Sequence, residues 1–261
     1  MGVGMVFAFL FGLALGSFLN VCIFRIPLRK SIVSPPSSCP QCGQRIRFYD
    51  NIPVVSYALL LGRCRYCRHP ISPQYPVVEA ITGLLSLALF LKAGASLEYI
   101  FLLLFGALLI AIAFIDLQHK IIPDVLSLPG IVVGFVFSLL PFSSLSWMDS
   151  MIGIAGGGGF LLLVGLAFEK MTGREGMGMG DVKMLAMIGA WMGWRALLFI
   201  ILLSSLAGSL IGGALLLLSR QGVRTRIPFG PFLALGTLIY LFFGHEIVSW
   251  FNQLGRPGGA P

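Results

Sequence analysis

Long apolar runs separated by short polar turns dominate this chain. A helix that crosses a bilayer needs about 20 predominantly apolar residues. Eight segments meet or approach that length: residues 2–23, 77–92, 97–116, 121–141, 149–168, 181–193, 195–219 and 228–250. The second and sixth are short, so they call for tilt, partial embedding or support from neighbouring helices. Connections between the segments are tight except for residues 24–76, a polar stretch rich in Pro, Cys and Arg. The first apolar run, Val3 to Phe24, has no basic residues ahead of it and leads straight into arginines. It therefore reads as a retained helix, not a cleaved signal. No repeat of fixed period is present. The run Gly156 to Gly159 falls inside an apolar segment and predicts close helix–helix packing.

Composition agrees with this pattern. Of the 261 residues, 57% are hydrophobic and only 11% charged, and the mean hydropathy is +0.94. A soluble domain carries about 25% charged residues, and a soluble fold of this size could not hide so much apolar surface. The expected fold class is an all-α polytopic membrane protein with about eight transmembrane helices. A net charge of +8 would suggest nucleic acid in a soluble protein. Here it reports orientation through the positive-inside rule, and no nucleic-acid partner is expected. If residues 24–76 are cytoplasmic, only Lys92, Arg195 and Arg256 of the 18 Lys and Arg lie on the opposite side. That asymmetry places both termini outside and requires an even number of spans.

Acidic groups in or beside spans are costly and point to function. Glu98, Asp149 and Glu246 sit near outer helix ends. Glu169 and Glu175 lie in an inner loop beside Lys170 and Arg174, and Asp50 lies in the polar stretch; solvation explains all six. Glu79, Asp116, Asp124 and Asp181 remain. Asp116 closes the third span and Asp181 opens the sixth, in GMGMGDVK. Chain parity puts both at one membrane depth on the cytoplasmic side, as a carboxylate dyad requires. In such a dyad one carboxylate activates a water, while the other, protonated, donates to the scissile carbonyl. Gly178 and Gly180 suit close approach of backbone and substrate. The competing structural explanation pairs the aspartates with Lys120 and Lys183 at the membrane edge. Asp124 follows Pro123, a pattern of helix starts, and reads as a structural or substrate-positioning residue. Glu79 reads either as a buried carboxylate paired with a nearby arginine or as a site residue; Asn20 and Arg25 share its location.

The polar stretch holds CPQC (Cys39, Cys42) and CRYC (Cys64, Cys67). Two C-x2-C pairs at this separation predict a zinc-ribbon-like site, and a reducing cytosol disfavours disulfides. Four thiolates leave no position open for water, so the zinc is expected to be structural. Cys22 stands alone in an apolar helix and reads as a small core residue.

Six segments in order resemble the type IV prepilin peptidases, polytopic aspartic proteases with a GxGD motif. They are GSFLNVCIFRIP (16–27), the two cysteine pairs, YPVVE (75–79), IDLQHKIIPD (115–124), EGMGMGDVKMLA (175–186) and IPFGPFLA (227–234). The resemblance implies cleavage of a short basic leader from type IV prepilins or type II secretion pseudopilins at the cytoplasmic boundary of a bacterial inner membrane. It maps the catalytic pair to Asp116 and Asp181. It also implies methylation of the new N-terminal amine with S-adenosylmethionine. The candidate substrate- or donor-binding residues are Glu79, Asp124, Gly178, Gly180 and Lys183. The implied organisation is a first transmembrane helix (1–23), a cytoplasmic four-cysteine domain (24–76) and a transmembrane protease domain (77–261). Two other classes compete: a proton-coupled transporter using the same aspartates, and a zinc-ribbon membrane scaffold without catalysis. Transporter carboxylates sit near the midplane of related halves, whereas these acids lie at one edge.

Overall fold

A computed structural model describes residues 2–173, 178–218 and 228–254. Glu175, Arg174, Arg220, Arg224, Arg226, Arg256 and the first residues of two motifs lie outside them. The regular elements among the described residues are all helices, without a β-strand. All eight segments predicted to span are helices: α1 (Gly2–Arg25), α3 (Gln74–Ala93), α4 (Leu97–His119), α5 (Asp124–Ser138), α6 (Trp147–Thr172), α7 (Met179–Met192), α8 (Trp194–Leu218) and α9 (Gly230–Leu254). The short α2 (Val55–Leu59) lies in the polar stretch. Five of them (α1, α3, α4, α6 and α8) are long and apolar enough to cross a membrane. At 14 residues, α7 extends about 21 Å, short of a hydrocarbon core of about 30 Å.

The chain divides into two compact units, residues 1–115 and 116–261. In the first, α1 lies against α3 along a stripe of small residues. A Cβ added at Gly12 would sit 2.5 Å from Ser86 Cβ, and one at Gly16 would sit 2.6 Å from Glu79 Cα. Without lipid-excluded water to drive association, such backbone proximity supplies the dispersion contact that holds membrane helices together. Ser86 stitches the contact at its far end: its hydroxyl donates to the Ala8 carbonyl (2.6 Å) and lies 2.7 Å from the Tyr99 hydroxyl. The opposite face of α1 exposes Val3, Phe7, Leu10, Phe11 and Phe18, as lipid contact demands.

The second unit is built around α7, whose residues Met184 to Trp191 are buried. Its apolar surface covers the whole circumference, which marks a helix enclosed by others. Helix α6 presses on it through glycines: an added Cβ at Gly157 would meet the Leu185 carbonyl at 2.6 Å, and Gly153 and Gly189 face each other backbone to backbone. The expectation of close packing at Gly156–Gly159 thus holds for part of the run. Gly157 and Gly158 face α7, while Gly159 meets open space, because a helix turns a contact face back only every three or four residues. Trp191 is held from the other side, its Nε1–H donating to the Gly130 carbonyl of α5 (2.8 Å). Ser150 of α6 donates to the Ala190 carbonyl (2.8 Å). These bonds fix α7 in its sheath and hence fix the position of its N-terminal turn.

Candidate active site

Three helix ends of the second unit build the site. Helix α4 carries Asp116 in its last turn and stops at once: Lys120 has a φ of 55° and its N–H bonds the Asp116 carbonyl at 2.8 Å, a left-handed C-terminal cap. Helix α9 starts at Gly230. The first N–H groups of a helix have no partner within it, and the Gly230 N–H donates to Asp116 Oδ2 at 2.9 Å across 114 residues of sequence. Asp116 is 5% exposed. The positive end of α9 therefore faces a carboxylate that the negative end of its own helix disfavours. No larger residue fits at the contact, since a Cβ at Gly230 would lie 2.7 Å from Asp116 Oδ2.

Helix α7 supplies Asp181 in its first turn, with Gly178 as the N-cap residue in extended conformation. The Asp181 N–H bonds the Gly178 carbonyl at 3.1 Å. The two GxGD glycines act differently. A Cβ at Gly178 would only touch Asp181 Oδ2, at 3.4 Å, whereas one at Gly180 would strike Ile122 Cβ at 2.8 Å. Gly180 lets α7 pack directly on the 121–123 link between α4 and α5. That packing leaves Asp181 near enough to Asp116 for the two carboxyls to repel each other. Two carboxyls in mutual repulsion hold a single shared proton most favourably, and such a pair can both activate a water and donate a proton.

Asp124 and Lys183 form a separate pair. Asp124 lies in the first turn of α5, after Pro123, and Lys183 Nζ donates to its two oxygens at 2.7 and 2.8 Å. Lys183 thus neutralises Asp124, not the dyad as the membrane-edge explanation required. The pair is partly exposed, 30% and 55%. Lys183→Met is therefore expected to lower the melting temperature in detergent by less than about 4 °C, and a drop several times larger would give the bridge a structural weight that its exposure does not predict.

The first unit holds the other candidates. The four cysteines converge, their Sγ atoms within 4.8 Å of one another and those of Cys39 and Cys67 3.8 Å apart. Tetrahedral zinc with Zn–S bonds of about 2.3 Å needs S···S separations of about 3.8 Å, so this donor set fits such an ion. The two halves are related turns. The Cys39 N–H bonds the Gln44 carbonyl and the Cys64 N–H bonds the His69 carbonyl, each at 2.9 Å. The residue after each second cysteine, Gly43 or Arg68, has positive φ. Backbone N–H groups of Cys67 and Tyr66 pull the Cys64 thiol down to about 7. The His69 N–H acts likewise on Cys67, but burial and the neighbouring thiols outweigh it and push that group up to about 11. Arg65 braces the turn through Nε bonds of 2.9 Å to each Asp50 oxygen.

Glu79 is buried on α3. Its Oε2 accepts the Val54 N–H at 2.7 Å. Arg25, the nearby arginine, donates instead to the Ser31 and Pro35 carbonyls at 2.9 and 2.7 Å. Burial was legible in the sequence; the partner is a loop amide, not a guanidinium. Gly230 also escaped sequence reasoning as a site residue, since its contribution is a backbone N–H. The only signal was its place in IPFGPFLA.

Comparison with known proteins places both halves. Residues 10–93 match the Bacterial Peptidase A24 N-terminal domain, and residues 103–213 match the Type IV leader peptidase family. Over 93% of this chain and 92% of its own length, the prepilin leader peptidase/N-methyltransferase of Aeromonas hydrophila is 41% identical. That of Pseudomonas putida is 38% identical over the same shares. That of Pseudomonas aeruginosa is 39% identical over 94% of this chain and 92% of its own. The chain belongs to the type IV leader peptidase family. Asp116 and Asp181 fall within the match to the leader peptidase family, and Glu79 and the four cysteines fall within the N-terminal match. Gly230 lies beyond both. No solved structure matches the chain. Nothing in these likenesses supports the transporter reading, and the chain, with its five long apolar helices, is a multi-pass membrane protein.

Proposed function

We propose that this chain is a bifunctional enzyme. It cuts the basic leader from type IV prepilins or type II secretion pseudopilins and then methylates the new N-terminal amine with S-adenosylmethionine. Asp116 and Asp181 are the catalytic pair. One takes a proton from water as it attacks the scissile carbonyl, while the other, protonated, donates to the carbonyl oxygen. The observation that carries this reading is the seating of Asp116: buried, held by the Gly230 N–H at 2.9 Å, and near enough to Asp181 for the two carboxyls to repel each other. Gly178 and Gly180 shape the approach to the pair, and the Lys183–Asp124 pair positions substrate at its rim. Glu79 serves the methyl-transfer site.

The Lys and Arg asymmetry supports an inner-membrane location with both termini periplasmic and the dyad on the cytoplasmic side. Functionally the chain then comprises a first transmembrane helix (1–23), a cytoplasmic four-cysteine domain (24–76) and a transmembrane protease domain (77–261). Cys39, Cys42, Cys64 and Cys67 hold a structural zinc, which supplies folding energy and no chemistry, because four thiolates close its coordination.

The test of the overall reading is incubation of the purified protein in detergent with a prepilin and S-adenosylmethionine, followed by mass spectrometry. Loss of the leader and a gain of one methyl on the new N-terminus are expected; an unchanged prepilin would refute the reading. Cys39→Ser is expected to remove the metal and to lower the folded fraction or methylation severalfold more than cleavage. Metal analysis beside the same assay checks this, and a metal-free variant with full folding and both activities would end the structural-zinc reading.

A further inference from the structure

Asn20 and Glu79 are buried where α1 meets α3, and neither is used by the cleavage chemistry. The two helices are antiparallel here: Gly16 faces the Glu79 backbone, and one turn further along, Asn20 Nδ2 donates to the Tyr75 carbonyl at 3.0 Å. Because a carbonyl can only accept, this bond fixes the amide orientation. Asn20 Oδ1 must point the other way. Asn20 is 4% exposed, and its Oδ1 is buried without a protein donor. Such an atom carries a desolvation cost of about 1–3 kcal/mol unless something donates to it.

Glu79 lies one turn along α3 from Tyr75, 7% exposed, and among the described residues no cation pairs with it. Its donor is neutral, the Val54 N–H. The Val54 contact is itself costly. Val54 has a φ of 62° and a ψ of −47°, a conformation that a β-branched residue adopts only under constraint. The loop is strained where it presents its N–H to Glu79. A buried carboxylate without a counter-charge and a buried amide oxygen without a donor form an unbalanced acceptor site. It lacks both positive charge and a donor for Asn20 Oδ1.

A primary ammonium supplies both, with three donors and one charge in a small volume. We infer that Asn20 and Glu79 form a binding site for a primary ammonium group, which on the methyl-transfer reading above is either the new N-terminus of the cut substrate or the amino-acid end of the methyl donor. A guanidinium is planar and spreads its charge over five donors. The site as built, with backbones nearly touching at Gly16, suits the compact group better.

Equilibrium titration of the purified full-length protein tests this. The probes are a leaderless peptide with a free N-terminal phenylalanine, its N-acetylated counterpart, and S-adenosylmethionine alone. They are applied to the wild type, Glu79→Gln, Asn20→Leu and Asn20→Asp. If the cut substrate is the source, the wild type binds the free peptide at least tenfold tighter than the acetylated one, and Asn20→Leu and Glu79→Gln erase that preference. If the donor is the source, the tenfold loss appears in the S-adenosylmethionine titration. Asn20→Asp, which keeps an acceptor, retains binding in either arm. The melting temperature separates this from a folding defect: Asn20→Leu removes an unsatisfied acceptor and is expected to melt no lower than the wild type. Should Asn20→Leu fold poorly, Glu79→Gln and the wild-type preference for the free amine still decide. Unchanged binding of both probes in Asn20→Leu and Glu79→Gln would mean only a resident water at Oδ1 and overturns the inference. The methyl-transfer reading fails separately, if the wild type leaves a cut peptide unmethylated in the presence of donor.

Discussion

Asp116→Asn and Asp181→Asn each lower leader cleavage by about 10⁴-fold or more, while the protein accumulates in the membrane at the wild-type level. Each substitution keeps the shape of the side chain and removes its ability to exchange a proton. With Asn at 116, the Gly230 N–H still finds an acceptor oxygen at the same place, so the start of α9 is undisturbed. With Asn at 181, the turn closed by the Asp181 N–H on the Gly178 carbonyl is a backbone contact and survives. Stability is therefore expected to hold while chemistry fails. The two losses should be similar, because a dyad works through one shared proton and either half alone has no partner for it. Quantitative blotting of membranes beside a gel-shift assay of prepilin separates loss of activity from loss of protein. Retained cleavage by either variant would remove that residue from the catalytic pair.

Gly230→Ala is expected to cost about 10²-fold in kcat, though the residue is not ionisable and lies 114 positions from Asp116. A methyl group there would stand 2.7 Å from Asp116 Oδ2 and 3.3 Å from its Cβ and Cγ. The carboxylate must swing away and lose its hydrogen bond from the helix start. A hydrogen bond to a charged group contributes about 1.5–3 kcal/mol, which corresponds to roughly 10- to 150-fold, and small displacement of a reacting group costs about as much again. The helix itself tolerates alanine well, so α9 should form and the melting temperature should change little. Substrate contacts are not removed, so KM should move less than kcat. A variant with wild-type kcat would show that the Gly230–Asp116 contact is not part of the working site.

Much of the fold was legible because lipid and helix periodicity impose simple rules. All eight apolar segments are helices, and their ends were set within a few residues by polar turns. Asp116 and Asp181 stood out because a charge beside an apolar span needs a reason. What stayed hidden was carried by backbone or by three-dimensional facing. Gly230 acts through an N–H that any residue possesses, and its importance appears only once the start of α9 is placed against the end of α4. Glu79 suggested an arginine partner because charge attracts charge in a sequence reading, yet Arg25 is drawn off by two loop carbonyls and a strained loop amide takes its place. The glycine run marked a packing surface, but the tightest contacts fall at Gly153 and Gly157, where the helix face and not the run decides. Gly180, expected to allow close approach of backbone and substrate, is a helix residue pressed on Ile122.

The most direct measurement is single-turnover cleavage of a purified prepilin by the wild type, Asp116→Asn, Asp181→Asn and the double variant, read by mass spectrometry of the released leader. A shared-proton dyad predicts rapid release by the wild type and one common residual rate for all three variants, with the double no slower than either single. Release by either single variant within tenfold of the wild type, or a double-variant loss equal to the product of two separate losses, would contradict it.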